Sequence, residues 1–177
     1  MKVYFVRHGE SNYNVLNLCG GEPGEYVHLT EKGRKQAEEA AEKLKNKRID
    51  LIIRSEMYRT KQTAEIINKY HNAPMEIDPR INERKFGEFE KRPIVELRNF
   101  LENDRIKTKI PGGESFLDMK ERVLNFLEDL KKRKAGTILV VSHDQVLRVV
   151  YGHFNNLSDE DACNTKVKNC EIYEFDI

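Results

Sequence analysis

Short apolar runs alternate with amphipathic stretches along most of this chain. Residues 2–6 (Lys-Val-Tyr-Phe-Val) form a β-branched and aromatic run of the kind that fills a strand covered on both faces. A polar, glycine-bearing loop is predicted from Gly9 to His28. Thr30 then stands at an N-cap position, and Ala37, Ala40, Ala41 and Leu44 recur at helical spacing. Asp50 to Ile53 reads as a second strand, followed by a helical pattern through Ala64, Ile66, Ile67 and Tyr70. Met75 to Ile77 reads as a third strand.

The clearest helix comes later. Ser115 and Asp118 fit an S-x-x-D capping box, and Phe116, Met119, Val123, Phe126, Leu127 and Leu130 make one apolar stripe. Gly136 closes that segment before Thr137 to Val141, five consecutive β-favouring or apolar residues. A helix from about Gln145 and a strand near Ile172 to Phe175 complete the pattern. Alternation of this kind predicts an α/β fold: a three-layer sandwich with a mostly parallel central sheet, helices on both faces and a short cap segment. Residues 91–110 stand apart, because Lys91, Arg92, Arg98, Arg105, Lys107 and Lys109 outnumber Glu96, Glu102 and Asp104. They form either a solvated helix face or a cap that attracts an anionic substrate.

The chain has 177 residues, 38% hydrophobic and 34% charged, which suits one domain with a substantial core rather than a disordered segment. No apolar run approaches the ~20 residues of a membrane span, and Arg7 and His8 interrupt the one apolar stretch near the start, so neither a membrane partner nor a secretory leader is expected. A formal net charge of +1 argues against nucleic acid as a partner. Cys19, Cys163 and Cys170 are odd in number and form no C-x-x-C pair, the usage of a reduced, cytoplasmic protein without disulfides or a zinc knuckle.

Two predicted parallel strands end in histidine. One runs into Arg7-His8-Gly9-Glu10-Ser11, the other into Ser142-His143-Asp144. Ligands of open α/β sheets bind beyond the carboxyl ends of the strands, so the topology brings these two imidazoles to one place. Arg7 beside His8 adds a permanently charged guanidinium whose donors suit phosphate oxygens, and Gly9 lets backbone approach a ligand closely. No carboxylate cluster in the sequence suggests a metal site, and no cofactor motif is present.

Arg7-His8-Gly9-Glu10-Ser11 with Asn14 resembles the signature of the histidine phosphatase superfamily, the phosphoglycerate-mutase-like proteins. Four further segments resemble that family in its own order: Leu29-Thr30-Glu31-Lys32-Gly33 with Gln36-Ala37, Ser55 through Arg59 to Gln62-Thr63-Ala64, Asn82-Glu83 with Phe86-Gly87, and Pro111-Gly112-Gly113-Glu114-Ser115 leading on to Val141-Ser142-His143. The resemblance implies a single domain over residues 1–177 with a small cap insertion around 88–112. It implies that His8 is the nucleophile and forms a phosphohistidine, that Glu83 is the general acid, and that Arg7, Arg59 and His143 hold the phosphoryl oxygens. Asn14, Gly20 and Gly21 are expected in the phosphate-facing loop, and His28, His71 and His153 outside the site.

The implied activity is hydrolysis of a small phosphorylated metabolite, with no metal and no cofactor. A phosphoprotein is a substrate variant; mutase chemistry and phosphate binding without turnover are the alternatives. Only a short segment separates Gly87 from Pro111, which favours the hydrolase over a mutase that must enclose its intermediate. Three positions depart from the pattern: Asp144 where the family usually has Gly, and Phe89 and Lys91 where phosphatases commonly show Trp and Gly.

Overall fold

The computed structural model describes residues 1–134 and 136–177. Its centre is a five-stranded sheet of β1 (Lys2–Arg7), β2 (Leu51–Arg54), β3 (Met75–Ile77), β4 (Thr137–Ser142) and β5 (Ile172–Asp176), in spatial order β3-β2-β4-β1-β5. All neighbouring pairs are parallel except β1 with the edge strand β5. Successive side chains of a strand face opposite ways, and here both faces are covered. Val3 and Phe5 of β1 and Ile138 and Val140 of β4 enter one apolar layer; Tyr4, Val6, Leu139 and Val141 enter the other.

The first layer is closed by α5 (Phe116–Lys131) and α6 (Asp144–Phe154), the second by α2 (Glu31–Leu44) and α3 (Tyr58–Asn68). The predicted three-layer α/β architecture is therefore present. Its caps are the ones the sequence signals. Thr30 Oγ1 accepts from the Gly33 amide at 3.0 Å, and Ser115 and Asp118 exchange both capping-box bonds at 3.0 and 2.9 Å. All six residues of the α5 stripe are buried, each removed from water at a gain of about 1.5–3 kcal/mol.

Four details differ from the sequence reading. The loop predicted from Gly9 to His28 contains a short helix, α1 (Asn12–Leu16), capped reciprocally by Ser11 and Asn14 and burying none of its residues. The helix expected to reach Tyr70 ends at Asn68, leaving Tyr70 exposed. The basic stretch forms α4 (Ile94–Phe100), which is more than a solvated face: Leu97 and Leu101 join Cys19, Phe86, Phe89 and Ile110 in a third, separate apolar cluster. A further helix, α7 (Asp159–Asn164), follows α6 without a periodic signal of its own. The segment before α4 is tied to the loop after α1 by main-chain bonds from Cys19 N to Arg92 O, Lys91 N to Cys19 O and Ile94 N to Asn17 O. Lys91 adopts φ 64°, the left-handed conformation that favours glycine, which accounts for the glycine usual at that position.

One close approach sets the loop that follows β1. A Cβ on Gly9 would meet Gly33 O at 2.2 Å, and a Cβ on Gly33 would meet Glu10 O at 2.0 Å. The start of α2 and the loop carrying His8 therefore pack backbone to backbone. Gly33→Ala is expected to destabilise the protein by about 1–3 kcal/mol through overpacking. Urea denaturation checks this, and a change within experimental error would contradict the tight packing.

Candidate active site

His8 and His143 immediately follow β1 and β4, and the register pairs Arg7 with Ser142. The next two residues thus leave the sheet side by side. Their rings are buried, with centroids 5.2 Å apart at 63°. Arg7, His8, Asn14, Gly20, Arg59, Glu83, Asp144 and Gln145 are among the residues lining a cleft of about 90 Å³ at this end of the sheet. That is room for a small oxyanion, since a water molecule takes about 30 Å³.

The hydrogen bonds assign the histidine tautomers. His8 Nδ1 lies 2.7 Å from the Gly9 carbonyl oxygen, which can only accept, so Nδ1 carries the proton. His8 Nε2 keeps its lone pair and receives the Arg59 Nε–H at 3.1 Å. Burial first, then Arg59 and Arg7, hold the His8 pKa well below its ordinary value, so the ring is neutral at pH 7. Arg59 is itself buried, which pushes its pKa down to about 10 and still leaves it charged. Its Nη2 is held by the Gly20 carbonyl at 2.7 Å.

His143 is set by a chain of hydroxyls. Thr60 Oγ1 donates to the Met57 carbonyl at 2.7 Å, so it accepts from Ser55 Oγ, 2.7 Å away. Ser55 Oγ then accepts from His143 Nε2–H at 2.8 Å. This leaves His143 Nδ1 with a lone pair and no hydrogen-bond partner among the described residues, although it is buried. Burial first, then Arg59 and His8, keep this ring neutral as well. Arg7 Nε is also buried and unpartnered, while its Nη1 is anchored on the Val167 carbonyl at 2.7 Å. Each of these buried polar atoms left unpaired costs about 1–3 kcal/mol; Arg7 lines the cleft, and the His143 ring packs against that of His8.

Glu83 is buried opposite these groups, its Oε1 accepting from the Arg84 amide at 2.9 Å. Burial first and the Asp144 carboxylate second raise its pKa, against the lowering pull of Arg59 and Arg7. Its backbone is held from α5: Arg122 donates to the carbonyls of Arg80, Asn82 and Glu83, and binds Glu114 through two nitrogens at 2.8 Å each. Asp144 lines the cleft but is paired with Arg148 at 2.8 Å, which mutes its repulsion of an incoming anion.

The structure thus gathers Arg7, His8, Arg59, Glu83 and His143, with Asn14 and Gly20 on the cleft wall. Gly21 is not among them. Its amide donates to the Glu90 carboxylate at 2.8 and 3.0 Å, and the residue lines a neighbouring groove instead. His28, His71 and His153 lie outside the cleft. Sequence reasoning missed Ser55 and Thr60 as supports of His143, Arg122 and Glu114 as supports of Glu83, and Asn169, whose side chain donates to the His8 carbonyl at 2.9 Å. Ser55 and Thr60 lie within the segment singled out for Arg59, and Glu114 within the Pro111–Ser115 segment; Arg122 and Asn169 carry no local signal.

Residues 3–177 match the family profile described as histidine phosphatase superfamily (branch 1). The chain belongs to the histidine phosphatase superfamily. It is 33% identical over 184 residues to the Photorhabdus laumondii protein named "Probable phosphoglycerate mutase GpmB", covering 99% of this chain and 85% of that one. The α-ribazole phosphatase of Shigella flexneri superposes with a TM-score of 0.90 at 29% identity, covering 100% of this chain and 91% of that one. The Entamoeba histolytica phosphoserine phosphatase, solved with 3-phosphoglyceric acid, superposes with a TM-score of 0.83 at 25% identity, covering 98% and 89%. This superfamily member therefore sits among both phosphatases and mutases.

Asp144 has a measurable electrostatic consequence. Its negative charge favours the protonated form of Glu83, so Asp144→Asn is expected to move the Glu83 titration to lower pH. Carbon-13 NMR of the Glu83 carboxyl checks the direction, and an unmoved or raised midpoint would contradict it.

Proposed function

We propose that this protein is a phosphomonoester hydrolase that works through a phosphohistidine on His8, on a small phosphorylated metabolite. The observation that carries the reading is the tautomer of His8: an uncharged ring whose Nε2 lone pair faces a pocket walled by guanidinium groups. An imidazole must be neutral to attack phosphorus, and the attacking nitrogen must be the unprotonated one.

In the first step the entering phosphoryl oxygens take over the Arg59 Nε–H that now rests on His8 Nε2. Nε2 then bonds to phosphorus as the ester P–O bond breaks. Glu83, whose protonated form burial and Asp144 favour, gives its proton to the departing alkoxide. In the second step the Glu83 carboxylate takes a proton from water, whose oxygen bonds to phosphorus. The P–N bond breaks, its electron pair returns to Nε2, and inorganic phosphate leaves. Arg7, Arg59 and a protonated His143 Nδ1 hold the equatorial oxygens, the positioning and charge stabilisation that phosphoryl transfer chiefly requires. In this scheme arginines supply the cations and no metal is needed. Asn14 and Gly20 form the mouth, and residues 88–112 act as its cap.

Mutase transfer is the second reading, favoured by the name of the Photorhabdus relative. It shares the first step and differs in the acceptor. The short segment from Gly87 to Pro111 favours water.

Rapid quench with labelled phosphoester is expected to leave acid-labile, base-stable phosphate on the protein, absent from His8→Ala, with phosphate release unaffected by EDTA. Binding without a label would overturn the reading, and isomerisation of 3-phosphoglycerate with little phosphate release would replace it with the mutase. Glu83→Gln should slow phosphoenzyme formation from alkyl phosphates by about 10²–10⁴-fold. It should slow phosphoenzyme formation from p-nitrophenyl phosphate much less, because that leaving group departs without a proton. Equal losses in this first step, read by rapid quench on both substrates, would remove Glu83 as the acid.

A further inference from the structure

Glu90 is a carboxylate of the cap segment that the proposed chemistry leaves unused. It follows the short turn Gly87–Phe89 and is half-buried. The cations beside it in sequence are engaged elsewhere: Lys91 lies over the Tyr26 ring at 4.6 Å, and Arg92 pairs with Glu96. The Glu90 oxygens accept main-chain amides instead. Oε1 takes the Gly21 N–H at 2.8 Å and the Glu22 N–H at 3.3 Å, and Oε2 takes the Gly21 N–H at 3.0 Å.

The Gly21 N–H belongs to the same planar peptide unit as the Gly20 carbonyl. That carbonyl accepts from Arg59 Nη2 at 2.7 Å, while Arg59 Nε–H reaches His8 Nε2 at 3.1 Å. One peptide therefore bridges a carboxylate at its N–H end and a guanidinium at its oxygen end. The signs match, because N–H is the positive end of the peptide dipole and the oxygen the negative end. Turned over, the same peptide would set its oxygen against Glu90 and its N–H against Arg59, unfavourable at both ends. Glycine on either side leaves no Cβ to decide between the two orientations, so the outside partners decide. Cys19, one residue earlier, is pinned through its N–H and its carbonyl to Arg92 and Lys91 of the cap, so loop and cap are held together on both sides of Gly20.

We infer that Glu90 is a positioning residue for phosphate binding: it holds the Gly20–Gly21 peptide in the orientation that seats the Arg59 guanidinium against His8. This rests on the phosphoryl pocket being where phosphate binds. The hydrogen bonds of Arg59 go to the His8 ring and the Gly20 oxygen, and those two contacts set the direction of its donors. When phosphate takes over the Nε–H, the Gly20 oxygen is the anchor that remains. An anchored donor loses less freedom when an anion arrives, so holding the peptide strengthens binding without a contact between Glu90 and the ligand.

Two conservative variants separate reach from charge. Glu90→Gln keeps an acceptor oxygen at the same reach and loses the charge, whereas Glu90→Asp keeps the charge and falls one methylene short. The probe is inorganic phosphate, titrated into the full-length protein and followed by phosphorus-31 NMR, with urea denaturation establishing that each variant is folded. Glu90→Gln is expected to bind phosphate within about threefold of the wild type and Glu90→Asp at least about tenfold more weakly, the latter a difference of about 1.4 kcal/mol. In an Arg59→Ala background Glu90→Asp should weaken binding no further, because its effect passes through that guanidinium. A general loosening of the structure would cost affinity in both backgrounds. Wild-type affinity in Glu90→Asp, a larger loss in Glu90→Gln than in Glu90→Asp, or an undiminished loss in the Arg59→Ala background overturns the positioning role, while phosphate binding by the wild type upholds the pocket. Failure of the wild type to bind phosphate would overturn both.

Discussion

Arg7 and Ser142 are register partners on adjacent parallel strands, so His8 and His143 leave the sheet together, on the face covered by α2 and α3. The same register buries Val3, Phe5, Ile138 and Val140 on one side and Val6, Leu139 and Val141 on the other, all at 1% exposure or less. A slip of one residue would turn one histidine to the opposite face and set every one of those side chains against the wrong layer. The geometry of the two imidazoles is thus enforced by the core rather than by the site. No bond between the rings is needed to keep their centroids 5.2 Å apart.

That enforcement carries an electrostatic cost, and the cost defines what the pocket can bind. Two neutral imidazoles and the buried Arg59 share one small space, with Arg59 hydrogen-bonded to a ring nitrogen and a carbonyl rather than to a carboxylate. Glu83 is the nearest compensation, and burial biases it toward its uncharged form. The pocket therefore holds an excess of positive charge, and two buried polar atoms of the site, Arg7 Nε and His143 Nδ1, have no partner among the described residues. An oxyanion relieves that excess, and by its own charge it would raise the His143 pKa so that Nδ1 becomes a donor. Ligand entry and activation of the site are, on the proposed mechanism, one electrostatic event.

What could be read from the sequence was whatever a local pattern encodes. The strand runs announce themselves because burial on both faces makes them continuously apolar, the α5 stripe because one-sided burial imposes a helical period, and the two histidines because they end strands. The helix α1 stayed hidden because its five residues bury nothing and so need no apolar period. The dual character of α4 was hidden because its inward Leu97, and Leu101 just after it, meet a satellite cluster rather than the main core. Gly21 illustrates the limit at the site. A glycine beside Gly20 in a phosphate-facing loop looks like a phosphate ligand, but its amide is claimed by Glu90, sixty-nine residues away in sequence. Ser55, Thr60, Arg122 and Asn169 act through other residues in the same way, and no spacing rule links a support to the side chain it supports.

Asp144 shows why a departure from a family pattern has to be judged in three dimensions. Read alone, a carboxylate next to His143 opposes an anionic substrate. Its partner Arg148, one helical turn away, counters that opposition. The same carboxylate raises the Glu83 pKa, which suits the acid role proposed for it. A glycine would leave Arg148 unpaired and Glu83 more readily ionised. The aspartate is thus paired against repelling an anion while it still favours the protonated form of Glu83.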